Sequence, residues 1–149
     1  MIFTGEYNAK LNAKNQVTLP GPLRDAIFFN SESIQLVLFA RNEGEFIEIY
    51  LGENWLEIQK KVEDKALELK DPSLNRKFNQ KAHAFVMEKS GNGRILIPSK
   101  FIQFLKPTDE LTFIGNTAKI EIWNSKLLIR SNDTEKTIDN EQLSSILSY

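Results

Sequence analysis

One short unit occurs twice in this chain, and it limits the available folds more than any other feature. Gly91-Asn92-Gly93-Arg94-Ile95-Leu96-Ile97-Pro98 reads as a turn, one exposed arginine, a short apolar strand and a proline that ends it. Lys14-Asn15-Gln16-Val17-Thr18-Leu19-Pro20 repeats the pattern. Asn-Gly tolerates positive φ at both residues and so marks a tight turn. The β-branched and leucine-rich run after it predicts a strand buried on both faces.

The repetition continues further along the chain. Ile47-Glu48-Ile49-Tyr50 returns as Ile120-Glu121-Ile122-Trp123. The first strand pair recurs at an offset of 78 (Pro20 to Pro98) and the closing hairpin at 73 (Tyr50 to Trp123), so the difference falls in the loops between them. Two copies are too few for a solenoid. A β-rich α+β domain with a pseudo-two-fold axis, each half completing the other's core, suits a chain of 149 residues.

The order of elements follows from periodicity. Residues 3–11 alternate and predict a strand with Phe3, Tyr7, Ala9 and Leu11 on one face. A short helix starts near Pro22, burying Leu23, Ile27 and Phe28. Residues 34–40 and 46–50 predict a hairpin around Asn42-Glu43-Gly44. Glu53 or Asn54 can cap a long helix whose inner face is Trp55, Ile58, Val62, Ala66 and Leu69. Asp71-Pro72 opens a second helix packed antiparallel to it. The second half predicts a strand over 83–89, a turn over 90–93, a strand over 94–97, a helix over 98–106 and a hairpin around Gly115-Asn116. The chain therefore divides into a first half at 1–50, a connecting helical pair at 51–82, a second half at 83–130 and a polar tail at 131–149. A short helix is expected at residues 140–147 of the tail.

Charge is distributed unevenly. Residues 1–75 hold 8 lysines and arginines against 12 acids, and residues 76–149 hold 11 against 8. Within residues 76–106, Arg76, Lys77, Lys81, Lys89, Arg94, Lys100 and Lys106 face one acid, Glu88. Such a segment in an otherwise acidic chain points to an anionic partner such as nucleic acid, or to a solvated face with no partner. There is no cysteine and one histidine, His83, which leaves no thiol chemistry, no nucleophile–histidine pair of the usual kind and no zinc cluster. Gly91-Asn92-Gly93-Arg94 lacks the Lys-Ser/Thr ending of a phosphate loop. An enzyme is not expected, nor a cofactor. The start of the chain lacks the pattern of a signal peptide, and with the missing cysteines this favours an intracellular setting.

Taken together, the N-terminal Phe-x-Gly-x-Tyr, the turn leading into Val-Thr-Leu-Pro, the Trp-containing helix, the Gly-Arg-Ile-Leu-Ile-Pro turn and the closing Ile-Glu-Ile-Trp resemble the MraZ family over residues 1–130. The resemblance implies tandem AbrB-like swapped-hairpin β-barrel units in one chain. It implies a bacterial, cytoplasmic, nucleoid-associated transcriptional regulator of the division and cell-wall gene cluster. Such a protein forms an octameric or dodecameric ring with itself and binds repeated boxes in double-stranded promoter DNA. The family signature is Asp-x-x-x-Arg at each turn, and the chain departs from it twice. Asn12-Ala13-Lys14-Asn15-Gln16 lacks both charged ends, and Ser90-Gly91-Asn92-Gly93-Arg94 keeps the arginine alone.

The candidate DNA-contacting residues are Arg94, Lys14, Lys10, Lys89, Gln16 and Asn92. Arginine can read a guanine edge or grip phosphate, and glutamine can pair with adenine. Asn12 and Ser90 can still accept backbone hydrogen bonds within their turns. Trp55 and Trp123 are expected in the core or an interface. Two other readings compete: an oligomeric structural or interaction protein that has lost DNA contact, and an antitoxin-like regulator using the acidic tail.

Overall fold

The computed structural model describes residues 1–41, 45–106, 108–134 and 140–147. The Asn42-Glu43-Gly44 turn, Glu135, Lys136, Asp139 and Tyr149 lie outside the described residues. In chain order the elements are β1 (Glu6–Lys10), β2 (Gln16–Thr18), α1 (Gly21–Ile27), β3 (Ser33–Ala40), β4 (Phe46–Leu51), α2 (Gly52–Leu69) and α3 (Ser73–Asn79), then β5 (Ala82–Glu88), β6 (Arg94–Leu96), α4 (Ser99–Leu105), β7 (Glu110–Asn116), β8 (Lys119–Asn124), α5 (Ser125–Thr134) and α6 (Asn140–Leu147).

Six strands form an antiparallel sheet in the order β1-β7-β8-β4-β3-β5, and β2 pairs with β6 in a separate ribbon. Exchanging each strand for its counterpart in the other half returns the same order reversed. The chain thus has a pseudo-dyad, and the register locates it. Val17 pairs with Ile95, its own counterpart at the 78-residue offset, and Glu48 pairs with Glu121, its own counterpart at the 73-residue offset. A residue paired with its own counterpart lies on the axis. The first strands are exchanged between halves: β1 pairs with β7, and β5 pairs with β3.

The same registers place the length difference. Ala9 faces Leu111 and its counterpart Met87 faces Ile34, so β3 and β7 are offset by 77. Four of the extra residues therefore sit in the first hairpin turn, between Ala40 and Phe46. The second hairpin turns at Thr117-Ala118, with Thr117 at φ 62°, and not at Gly115-Asn116, which belong to β7. Gly115 is required where it stands because the N-terminal chain crosses it. A Cβ there would lie 2.3 Å from the Thr4 nitrogen, and its own N–H donates to the Gly5 carbonyl at 2.9 Å.

Alternation gives the sheet two unlike faces. Leu36, Leu38, Ile47, Ile49, Phe113, Ile120 and Ile122 point to one side. There they meet Leu23, Ile27 and Phe28 around α1, Phe101 and Leu105 of α4, and the underside of the ribbon at Val17, Leu19, Ile95 and Ile97. Burial of this kind is worth roughly 1.5–3 kcal/mol per large side chain and supplies most of the fold's stability. On the other face α2 and α3 cover Val37, Phe39 and Tyr50 with Trp55, which stacks on Phe78 at 5.2 Å. Trp123 is likewise buried, stacked on Phe46 at 4.5 Å.

Two helix details differ from the sequence reading. No side chain caps α2: it starts a residue before Glu53, directly after Leu51. The expected inner face also stops early, since Leu69 is 56% exposed while Trp55 and Ala66 are buried. The helix ends in a left-handed Lys70. Asp71 does open α3, its carboxylate accepting from the Ser73 backbone N–H at 3.0 Å and from Ser73 Oγ at 2.5 Å.

Candidate nucleic-acid interface

The β2–β6 ribbon lies over the core with one face inward and one outward. Val17 and Ile95 are buried, as are the flanking Leu19 and Ile97. By alternation Gln16, Thr18, Arg94 and Leu96 share the outer face, where Thr18 pairs with Arg94 and Gln16 with Leu96. The strand after the second turn is therefore buried on one face only, and Leu96 is 61% exposed. A ribbon edge has helices and sheet on one side and solvent on the other, so a short apolar run overstates its burial.

A turn stands at each end of the ribbon. The Asn15 carbonyl accepts from the Ile97 N–H and the Gly93 carbonyl accepts from the Leu19 N–H, each at 2.8 Å. Asn15 and Gly93 are counterparts, and both take positive φ, 60° and 74°. Glycine does this without cost, and asparagine is among the few other residues that tolerate it.

The turns are held differently. In the first, Asn12 Oδ1 accepts from the N–H groups of Lys14 and Gln16, both at 2.9 Å. Asn12 Nδ2 donates to Gln16 Oε1 at 3.1 Å, which fixes the amide of Gln16. In the second, Asn92, not Ser90, supplies the acceptor: its Oδ1 takes the Arg94 N–H at 3.0 Å. The guanidinium of Arg24, on α1 of the opposite half, donates to the carbonyls of Lys89 (2.8 Å) and Gly91. Arg24 was invisible as a site residue in the sequence. The available signal was that the equivalent position at the 78-residue offset is Ile102, which has no donor.

The structure brings Arg94, Asn92, Gln16 and Lys14 to the ribbon and its turns. Lys89 lies at the start of the second turn, with Nζ 3.7 Å from Glu32 Oε1 in an exposed pair. Lys10 is elsewhere, lining a cleft with Asn8, Thr112 and Ile129 beside α5. The basic segment is also dispersed. Lys100 Nζ donates to the carbonyls of Gln80 and Ala82 (3.3 and 3.1 Å), and Lys81 lines an aromatic cleft with Phe39, Tyr50, Trp55 and Phe78. Proximity in sequence did not translate into one charged surface, because α3, β5, β6 and α4 face different ways. His83 is exposed on β5, and among the described residues no cluster of acids and histidine could hold a metal.

The outer face of the two-stranded ribbon carries one cation, Arg94, beside Gln16, Thr18 and Leu96, with Lys14 in the adjoining turn. Three residues per strand make the ribbon about 10 Å long. A major groove about 12 Å wide admits a two-stranded β-ribbon, whose paired strands lie about 5 Å apart.

Known proteins resemble this chain over most of its length. A family model described as "MraZ protein, putative antitoxin-like" matches residues 82–137. A protein of Clostridium tetani named transcriptional regulator MraZ is 29% identical over 148 residues, covering 99% of this chain and 97% of the relative. The chain is similar to MraZ proteins over nearly its whole length. Proteins of the same name from Clostridium acetobutylicum (28% over 136 residues, 89% of each chain) and Saccharophagus degradans (26% over 130 residues, 84% of each chain) extend the likeness. The MraZ family model falls on the half that keeps the Gly93-Arg94 turn. The half with Asn12 and Gln16 at the signature positions is covered by the longer alignments. The likeness to MraZ proteins thus spans both turns.

Proposed function

We propose that this chain is a DNA-binding transcriptional regulator that lays the outer face of its β2–β6 ribbon into the major groove of promoter DNA. The observation that carries the reading is the placement of Arg94 and Lys14 at the ribbon and its flanking turns. Arg94 reads a base edge or grips phosphate, and Lys14 contributes charge at the other end. Gln16, tethered by Asn12, contacts a base edge without adding charge. The two ends therefore contribute unequally, the Gly93-Arg94 end dominating.

One ribbon with so few cations binds weakly alone. A ring of copies engaging repeated boxes raises the affinity through effective concentration. The open edge of β5, with Val86 58% exposed, and the exposed Leu56, Leu67 and Leu69 of α2 support self-association. The reading places the protein in the cytoplasm, on the nucleoid.

Mobility shifts with the chain's own upstream DNA, across a salt series, test the proposal. Arg94→Ala is expected to weaken binding by about tenfold or more, and Lys14→Ala by less. Equal binding by wild type and Arg94→Ala removes Arg94 from the mechanism. Absence of any salt-sensitive shift favours an interaction protein that no longer contacts DNA.

A further inference from the structure

We propose that Arg24 is a positioning residue for DNA recognition, bracing the second turn from across the pseudo-dyad so that Arg94 is presented in a fixed pose. The affinity part of this rests on the DNA-binding reading above. The bracing itself does not.

The geometry is specific. Arg24 sits on α1, in the first half of the chain, yet both of its hydrogen bonds go to the second half, to the carbonyls of Lys89 and Gly91. Its side chain also closes over Gly93. A Cβ at Gly93 would lie 3.3 Å from Arg24 Cδ and 3.4 Å from Nε and Nη1. One nitrogen, Nη2, thus ties the carbonyls of Lys89 and Gly91 together while the rest of the flat guanidinium lies over Gly93, in the segment that sets the direction of Arg94. Charge-assisted bonds from a planar, pre-organised donor hold a loop better than neutral ones.

The first turn shows what the brace replaces. At its counterpart position stands Ile102, which is packed against the core and offers no donor. That turn is tied internally instead, through the three hydrogen bonds of Asn12. The second turn has Ser90 where Asn12 stands in the first, and the Asn92 side chain ties only the Arg94 N–H. A turn richer in glycine, and with fewer bonds of its own, depends more on an external clamp. Because the clamp comes from the other half, α1 packing and the pose of Arg94 are coupled.

The test uses the full chain and two variants, Arg24→Ala and Arg24→Lys, with two readouts. The first is amide hydrogen exchange in free protein. Both variants are expected to speed exchange at Gly91, Arg94 and Leu19, whose N–H groups bond within or onto the second turn, while Asn12 and Asn15 of the first turn keep their protection. Unchanged protection of β4 and β8 amides confirms that the fold is intact. The second is DNA affinity across salt. Both variants are expected to bind about tenfold more weakly, with Arg24→Lys as poor as Arg24→Ala because lysine keeps the charge but not the rigid plane that lies over Gly93 and holds Nη2 between the two carbonyls. The salt slope of Arg24→Ala should change by well under one ion. A slope lower by about one, with exchange unchanged, makes Arg24 a direct phosphate contact and overturns the proposal. Wild-type exchange in both variants also overturns it. If wild-type protein binds no DNA, the function proposed above fails while the exchange readout still decides the brace.

Discussion

Glu48 faces Glu121 directly across the β4–β8 pairing, and each carboxylate accepts a hydrogen bond from the aromatic residue two positions on. Tyr50 OH donates to Glu48 at 2.9 Å and Trp123 Nε1 donates to Glu121 at 2.9 Å. Two like charges in that position would repel. Lys119 relieves this by bonding Glu48 and standing 4.0 Å from Glu121, while Arg41 adds a bond to Glu48 at 2.5 Å. Arg41 comes from the longer first hairpin, so the additional residues there supply a cation where the symmetry demands one.

Glu48 should make the fold acid-sensitive. Burial alone would raise its carboxyl, but hydrogen bonds from Arg41 and Lys119 outweigh it and hold the group below its ordinary 4.5. A carboxylate depressed in the folded state stabilises at pH above its unfolded value and loses that contribution as pH falls through the folded value. Urea melts between pH 7 and 3 should show stability falling below about pH 4.5. In Glu48→Gln that component of the slope should be absent. Removing the charge leaves the partly buried Lys119 with only the 4.0 Å approach to Glu121, so Glu48→Gln should also cost roughly 2–4 kcal/mol at pH 7. An unchanged midpoint at neutral pH would show that the cluster contributes nothing to stability.

Gly115→Ala should be among the most damaging single-methyl additions. The new Cβ would press on the backbone of Phe3 and Thr4, which cannot swing away as a side-chain tip can. A loss of about 2–3 kcal/mol is expected. It should be accompanied by faster exchange at Phe3 and Thr117, whose N–H groups and carbonyls bond each other at 2.9 Å. A stable variant with both amides protected would contradict the crossing.

Restoring charge to the first turn should strengthen DNA binding. In Asn12→Asp with Gln16→Arg, the aspartate can accept the same two backbone N–H bonds and pair with the arginine. Affinity should rise about tenfold and the salt dependence should steepen by about one ion. No gain would mean that the first turn does not reach DNA.

Leu96 tests the ribbon itself. It stands on the outer face opposite Gln16 and packs against nothing that requires leucine. Leu96→Lys should leave the melting midpoint within about 0.5 kcal/mol. It should tighten binding to any duplex and raise the salt slope by about one. Leu96→Glu should weaken binding. Insensitivity to both substitutions would move the interface away from the ribbon.

Much of the fold was legible because its signals were local. The 78-residue and 73-residue repeats, the strand alternation around Ile47 and Ile120, and the prolines at 20 and 98 each act over a few residues. What escaped depended on where distant chain segments meet. Leu96 looked buried because its neighbours are, and only the pairing with Gln16 shows that its side faces water. Gly115 looked like a turn because glycine commonly marks one, whereas here the N-terminal chain passes over it. At the candidate site, Arg94 and Lys14 stand out in the motif, and both lie at the ribbon and its turns. The partnership of Arg24 with a turn more than sixty residues away does not stand out there. The basic segment misled for the same reason: adjacency along the chain says little about adjacency on a surface once helices and strands intervene.

The exchange of first strands has a consequence for how the protein is made. When the first half leaves the ribosome, β3 and β4 can pair, but the outer edge of β3 waits for β5, and β1 waits for β7. The outer edge of β4 waits longer, for β8, so until about residue 124 is available the nascent chain carries an unpaired apolar strand edge, the kind of surface that invites pairing with another chain. Translation pauses or truncations between α3 and β8 should therefore yield aggregates, not a functional half. Two separately expressed fragments split after Lys70 should each be insoluble alone, yet able to rescue one another when synthesised together.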